Sequence, residues 1–166
     1  TGGFYGRVTY ANQPVRDADR SVVVNGRILW TFSMAHRLFP SRSYKALADR
    51  AFTYTSTHFF DKEHGGVYWS IKADGSPLAT TKQIYGEAFA MYGLSEYYRI
   101  SQNPQALQLA RSLFEFVEKY AFDPKDGGYL EAVGREGQPI EDYILSKAPY
   151  IKSMNTHLHL IEAYTN

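Results

Sequence analysis

A chain of 166 residues is long enough for one domain with a substantial core and too short for two large ones. It holds no cysteine, which excludes a disulfide framework, a thiol nucleophile and thiolate metal ligands. Eighteen basic and seventeen acidic residues leave a net charge of +1 without a long run of either sign, and no apolar stretch nears the roughly 20 residues of a membrane span; neither nucleic acid nor a membrane is an expected partner, and the cytoplasm is the expected compartment.

The first element is a glycine pair followed by aromatics, Gly2-Gly3-Phe4-Tyr5. It returns as Gly65-Gly66-Val67-Tyr68-Trp69 and Gly127-Gly128-Tyr129-Leu130, at spacings of 63 and 62 residues. The later copies follow Asp61-Lys62-Glu63-His64 and Asp123-Pro124-Lys125-Asp126. Each unit therefore reads as an acidic turn, glycines able to take positive φ, and a short aromatic strand.

Between the first two copies, Val24, Ile28, Phe32, Ala35 and Phe39 recur at helical spacing from Ser21 to Phe39, and Pro40 ends the pattern. Ser41 is placed to cap a second helix with the stripe Tyr44, Leu47, Ala51, Tyr54. After a turn at Asp74-Gly75 the plan repeats. Lys82 to Ser101 carries Tyr85, Ala88, Phe89, Tyr92 and Tyr97, and Asn103-Pro104 opens a helix through Leu107, Ala110, Phe114 and Val117 to Tyr120. Gly134 to Pro139 forms a further turn, and a fifth helix starts near Ser153. Helical hairpins repeated at this period build either an open solenoid or a closed α/α toroid, with an exposed apolar edge wherever a neighbouring hairpin is missing. The chain begins Thr1-Gly2-Gly3 with no initiator Met and stops at Asn166 inside a helical pattern, so it is expected to be a cut piece.

On the fifth helix, at about 100° per residue, Asn155, His159 and Glu162 share one face, beside an apolar stripe of Met154, Leu158 and Ile161. Glu162 is placed to orient the His159 ring and set its tautomer, while Asn155 holds a substrate oxygen, an arrangement suited to proton transfer near neutral pH. The same residues also suit a solvated polar face. A metal reading is the weaker one, since no second carboxylate-rich helix and no His-x-x-x-His pair accompanies them. His157 points elsewhere and reads as packed or solvent-facing; His36, His58 and His64 read as structural or exposed. Arg27, the one charge in Asn25-Gly26-Arg27-Ile28-Leu29-Trp30-Thr31-Phe32-Ser33, is either the buried half of an ion pair or a fork for a ligand oxygen. Tyr85 and Phe89, at i and i+4, read first as core.

The segment Asn25 to Ser33, the helix Lys82 to Glu96 and Met154-Asn155-Thr156-His157-Leu158-His159 together resemble the N-acylglucosamine 2-epimerase superfamily, and the last segment resembles its cellobiose 2-epimerase branch. The resemblance runs from Gly2 to Asn166. It implies an all-α fold, a six-hairpin α/α barrel with short β-excursions, of which residues 1–166 would be a partial catalytic domain lacking helices at both ends. It implies an isomerase that inverts C2 of the reducing-end glucose of β-1,4-linked disaccharides such as cellobiose or lactose, through ring opening and a cis-enediolate, with no cofactor and no metal. Residue by residue, Arg27 matches an arginine that contacts sugar oxygens and Tyr85 an active-site tyrosine. Asn155 and His159 match the amide and histidine beside C1 and C2, His159 being the catalytic group. The implied partners are an oligosaccharide substrate and the remainder of the barrel, which in the family brings two further histidines and aromatic platforms. Aldose–ketose isomerisation and N-acyl sugar epimerisation use the same scaffold; a non-catalytic carbohydrate-binding piece would use the same aromatics.

Overall fold

Polar caps decide where the helices begin. In the computed structural model, which describes residues 2–40, 42–140 and 151–166, Ser21 Oγ accepts from Val23 N at the start of α1 (Val22–Leu38). Asn103 Oδ1 accepts from Gln105 N at the start of α4 (Pro104–Tyr120), and Ser153 Oγ accepts from Thr156 N at the start of α5 (Met154–Thr165). The remaining long helices are α2 (Tyr44–His58) and α3 (Ile84–Ser101). Ser41, expected as the cap of α2, lies outside the described residues. Five two- or three-residue strands complete the order: β1 (Arg20–Ser21), β2 (Ser70–Ile71), β3 (Pro77–Ala79), β4 (Lys82–Gln83) and β5 (Ala132–Val133).

The helices form two layers. α1 packs against α3 and α3 against α5 in an inner row, while α2 backs α1 and α4 backs α3. The inner row closes on glycine: a Cβ on Gly26 would lie 2.4 Å from the Phe89 carbonyl oxygen, and one on Gly93 would lie 2.6 Å from that of Gly26. This corrects the expected stripe of α1. Its buried face is Val22, Asn25, Gly26, Leu29 and Ser33, whereas Val24 and Phe39 are exposed. Close backbone approach needs small residues, and these carry no hydrophobic signature. In α4 the buried line is likewise Ala106, Ala110, Leu113, Phe116 and Val117, with Phe114 outside it.

The repeat is visible bond by bond. β1 pairs antiparallel with β2 (Arg20↔Ile71), and β4 with β5 (Lys82↔Val133), each partner displaced by 62 residues. Val22 N donates to Trp69 O, and Ile84 N to Glu131 O. Gly65 and Gly66 have φ of 78° and 67°, and Gly127 and Gly128 have 67° and 78°, so both turns need the left-handed region. The first copy departs from this, because of Gly2 and Gly3 only Gly2 has positive φ.

On the two later inner helices a residue in the first turn reaches back to these excursions. On α3, Glu87 accepts from Val67 N at 2.9 Å; on α5, His157 Nε2 accepts from Tyr129 N at 3.0 Å, while its Nδ1 meets Ser153 O at 2.6 Å. The ring therefore carries its proton on Nδ1, which donates to the carbonyl. On α1 the matching Asn25 donates from Nδ2 to Ser21 O. Of the two expected alternatives, packed or solvent-facing, His157 is packed, and it acts as a clamp.

Each acidic turn is tied by an ion pair to the segment that leads into the next inner helix. Asp61 binds the buried Lys82 at 3.1 Å and Arg135 at 2.8 Å, and Asp123 binds Lys152 at 2.6 Å. Burial works against ionisation of Asp61, but hydrogen bonds from Arg135 and Lys82 overcome it and hold the carboxyl well below its usual range.

The expected apolar edge runs along α5: Met154 is 76% exposed, Leu158 51% and Ile161 61%. Among the described residues no helix is long and apolar enough to cross a membrane.

Candidate functional site

The inner row brings side chains from three helices to one place. Phe89, buried on α3, lies beneath the Arg27 guanidinium, with Cζ 4.4 Å from the ring centroid. The His159 ring from α5 packs against the same ring, 4.5 Å away and tilted by 44°. Tyr85, one turn earlier on α3, meets Phe89 at 5.0 Å and His159 edge-on at 4.7 Å. Trp69, at the end of the second glycine-pair excursion, packs edge-on against Tyr85 at 6.5 Å. Glu87 holds Val67 N two residues earlier, so the clamp of the excursion also places this indole.

His159 is oriented from its own helix. Its Nδ1 meets Glu162 Oε2 at 2.7 Å, the i, i+3 pairing that its sequence face implies. In a neutral ring the carboxylate keeps the proton on Nδ1, which leaves the Nε2 lone pair available. The imidazole is 18% exposed and Glu162 50%, so the pair sits at a surface reached by solvent. One turn along the row, Trp30 stacks on Tyr92 at 5.1 Å. Burial pushes the Tyr92 phenol up, and the charges of Glu162 and Glu96 add to this.

Arg27, Tyr85 and His159 are therefore brought together around one ring. Arg27 is exposed and makes no ion pair among the described residues, which sets aside the reading of a buried pair. Asn155 is exposed one turn before His159 on the same helix, and its side chain makes no hydrogen bond among the described residues. Phe89 is both core and platform. The two uses have the same sequence signature, an aromatic at i+4 from another. Glu87, Lys82 and Asp61 escaped sequence reasoning, although the Asp that precedes each glycine pair by a fixed interval was a signal that could have found the ion pairs. Among the described residues no three His, Asp or Glu side chains gather as metal ligands do.

Chemically, the arrangement offers a cationic fork, an imidazole of fixed tautomer, a phenol and an apolar floor. Such a set can grip vicinal oxygens and exchange a proton beside them.

The family model of N-acylglucosamine 2-epimerase (GlcNAc 2-epimerase) matches residues 3–165. A cellobiose 2-epimerase of Bacteroides fragilis is 49% identical over 99% of this chain and 43% of the relative. Among solved structures, the cellobiose 2-epimerase from Spirochaeta thermophila superposes with a TM-score of 0.92 at 38% identity, over 99% of this chain and 41% of that one. The enzyme of the same name from Bacillus thermoamylovorans gives 0.93 at 36% identity, over 99% and 43%. The chain thus spans less than half the length of these relatives, and its two helical layers are part of an α/α barrel. A match over nearly every residue, with the paired helices in the same places, makes the chain a member of the N-acylglucosamine 2-epimerase family.

Proposed function

We propose that residues 1–166 are part of the catalytic domain of a sugar epimerase that inverts C2 of the reducing-end glucose of β-1,4-linked disaccharides, cellobiose or lactose. The ring opens to the aldehyde. Removal of the C2 proton sends the C–H electron pair toward C1, and the carbonyl oxygen takes the negative charge of a cis-enediolate that is planar at C2. Return of a proton to the other face gives the mannose residue, with no net change in oxidation state.

In this reading His159 is the acid/base or polarising group beside C1 and C2, with Nε2 turned to the substrate because Glu162 holds Nδ1. Arg27 presents parallel N–H donors to the enediolate oxygens, Tyr85 lines the pocket against the histidine, and Asn155 binds a sugar oxygen. The remainder of the barrel is the partner that closes the site and excludes water. The observation that carries the reading is the meeting of Arg27, Tyr85 and His159 at Phe89 from three separate helices. Relatives named cellobiose 2-epimerase support it.

The test is turnover of cellobiose in deuterated water by a full-length barrel carrying these residues. Deuterium at C2 of the epimer, and in the recovered substrate, is the expected result. A ketose product would turn the reading toward aldose–ketose isomerisation, and no label at all would leave a carbohydrate binder.

A further inference from the structure

Phe89 has no polar atom, yet it is the side chain on which the proposed groups meet. Counting from the clamp residues, 62 positions separate α1 from α3 (Asn25 to Glu87) and 70 separate α3 from α5 (Glu87 to His157). By the same offsets Arg27, Phe89 and His159 occupy one register position on three successive inner helices. A cation, an aromatic ring and an imidazole therefore stand in line across the row, at 4.4 Å and 4.5 Å from the central ring.

The order has a physical consequence. A guanidinium is attracted to an aromatic face, which fixes the end of a long and otherwise mobile side chain. The tilted imidazole gains a contact with the same ring. Phe89 is only 3% exposed and is held by its own helix, so it cannot yield to either neighbour. We propose that Phe89 is a positioning residue: its ring sets the separation and orientation of Arg27 and His159, so that the fork grips the oxygens at C1 and C2 while the imidazole faces the reacting carbon. Its consequence for turnover rests on the epimerase reading; its effect on the pair does not.

The test uses the full-length barrel with Phe89→Leu, which keeps bulk and loses the ring, and Phe89→Tyr, which keeps a ring, each checked for fold by circular dichroism. NMR of labelled histidine reads the His159 ring resonances, assigned through His159→Gln. In Phe89→Leu these resonances are expected to move, and kcat to fall ten- to a hundredfold, as misplacement of reacting groups by about 1 Å costs, with KM within about threefold. Phe89→Tyr is expected to restore most of both. A folded Phe89→Leu protein with unchanged His159 resonances, or with moved resonances and the turnover of an active wild type, overturns the proposal. If the wild type itself places no deuterium at C2 while Phe89→Leu still moves the His159 signals, the epimerase reading fails and the placement of the pair by Phe89 stands.

Discussion

Two rows of residues cross the inner helices, and they follow different rules. Asn25, Glu87 and His157 form one row, in which Glu87 and His157 hold the β-excursions; Arg27, Phe89 and His159, two positions on and about 200° further round, form the other. In the first row the residue changes while its use is kept: Glu87 and His157 both accept a hydrogen bond from the strand that follows a glycine pair. In the second row the residue changes from a cation to an aromatic ring to an imidazole. At the two later excursions the backbone presents the same donor, Val67 N and Tyr129 N, so Glu87 and His157 vary only among acceptors, while Asn25 donates to Ser21 O instead. Nothing in the backbone constrains the second row, and that is where different chemistry was free to assemble.

The sharpest way to break this comparison is to remove one histidine from each row. In a full-length barrel His159→Ala is expected to lower disaccharide turnover a hundredfold or more, as loss of a general acid or base does, with the fold intact by circular dichroism. His157→Leu is expected to cost stability, about 1–2 kcal/mol for leaving Tyr129 N without its acceptor, with a much smaller effect on turnover per folded molecule. Urea unfolding and deuterium incorporation at C2 separate the two. Equal losses of turnover from both would erase the distinction between the rows.

Much of this organisation was legible beforehand, and the reasons for the gaps are physical. The five helices and the His159–Glu162 contact rest on short-range spacing, and the period on a recurring motif, both of which sequence records directly. The exposed stripe of Met154, Leu158 and Ile161 was legible for the same reason. The buried face of α1 was not, because Gly26 and Ser33 are selected there for size. Nor were the partners of Asp61, since Lys82 and Arg135 lie 21 and 74 positions away. Phe89 looked like core because it is buried, and its spacing carries no mark of the cation and imidazole that pack on its ring.

Glu87 and His157 also differ in how burial treats their charge. Burial pushes the Glu87 carboxyl up to about 8, against the pull of Val67 N and Lys82. A carboxyl raised above its unfolded value of 4.5 holds a proton that the unfolded chain releases. Its contribution to stability is therefore complete below about pH 4.5 and is lost as pH rises through about 8. Glu87→Gln keeps an acceptor for Val67 N and removes the ionisation. Urea midpoints compared near pH 5 and above pH 8 are expected to fall less in this variant than in the wild type. An identical fall would show that Glu87 does not titrate in this window.

A further comparison concerns the two ion pairs, which share a geometry and differ in burial. Lys82 and Asp61 have side chains 0% and 1% exposed, Lys152 and Asp123 23% and 18%. Breaking a buried pair strands a charge, and Lys82→Met is expected to cost about 3 kcal/mol, the low end of that range because Arg135 stays on Asp61. Lys152→Met is expected to cost less, since water reaches the carboxylate left behind. Its signature is in acid. The Lys152 hydrogen bond, with those from Lys125 N and Asp126 N, holds Asp123 down at about 2. A carboxyl lowered below its unfolded value of 3.8 contributes stability above that value and loses it as pH falls through about 2. With Lys152 removed the Asp123 value rises toward 3.8, so less stability is lost over this interval. Acid titrations of the two proteins should therefore converge below about pH 2 and separate above pH 4. Curves that stay parallel throughout would mean that Lys152 stabilises its turn through the second hydrogen bond, to Gly127 O, and not through Asp123.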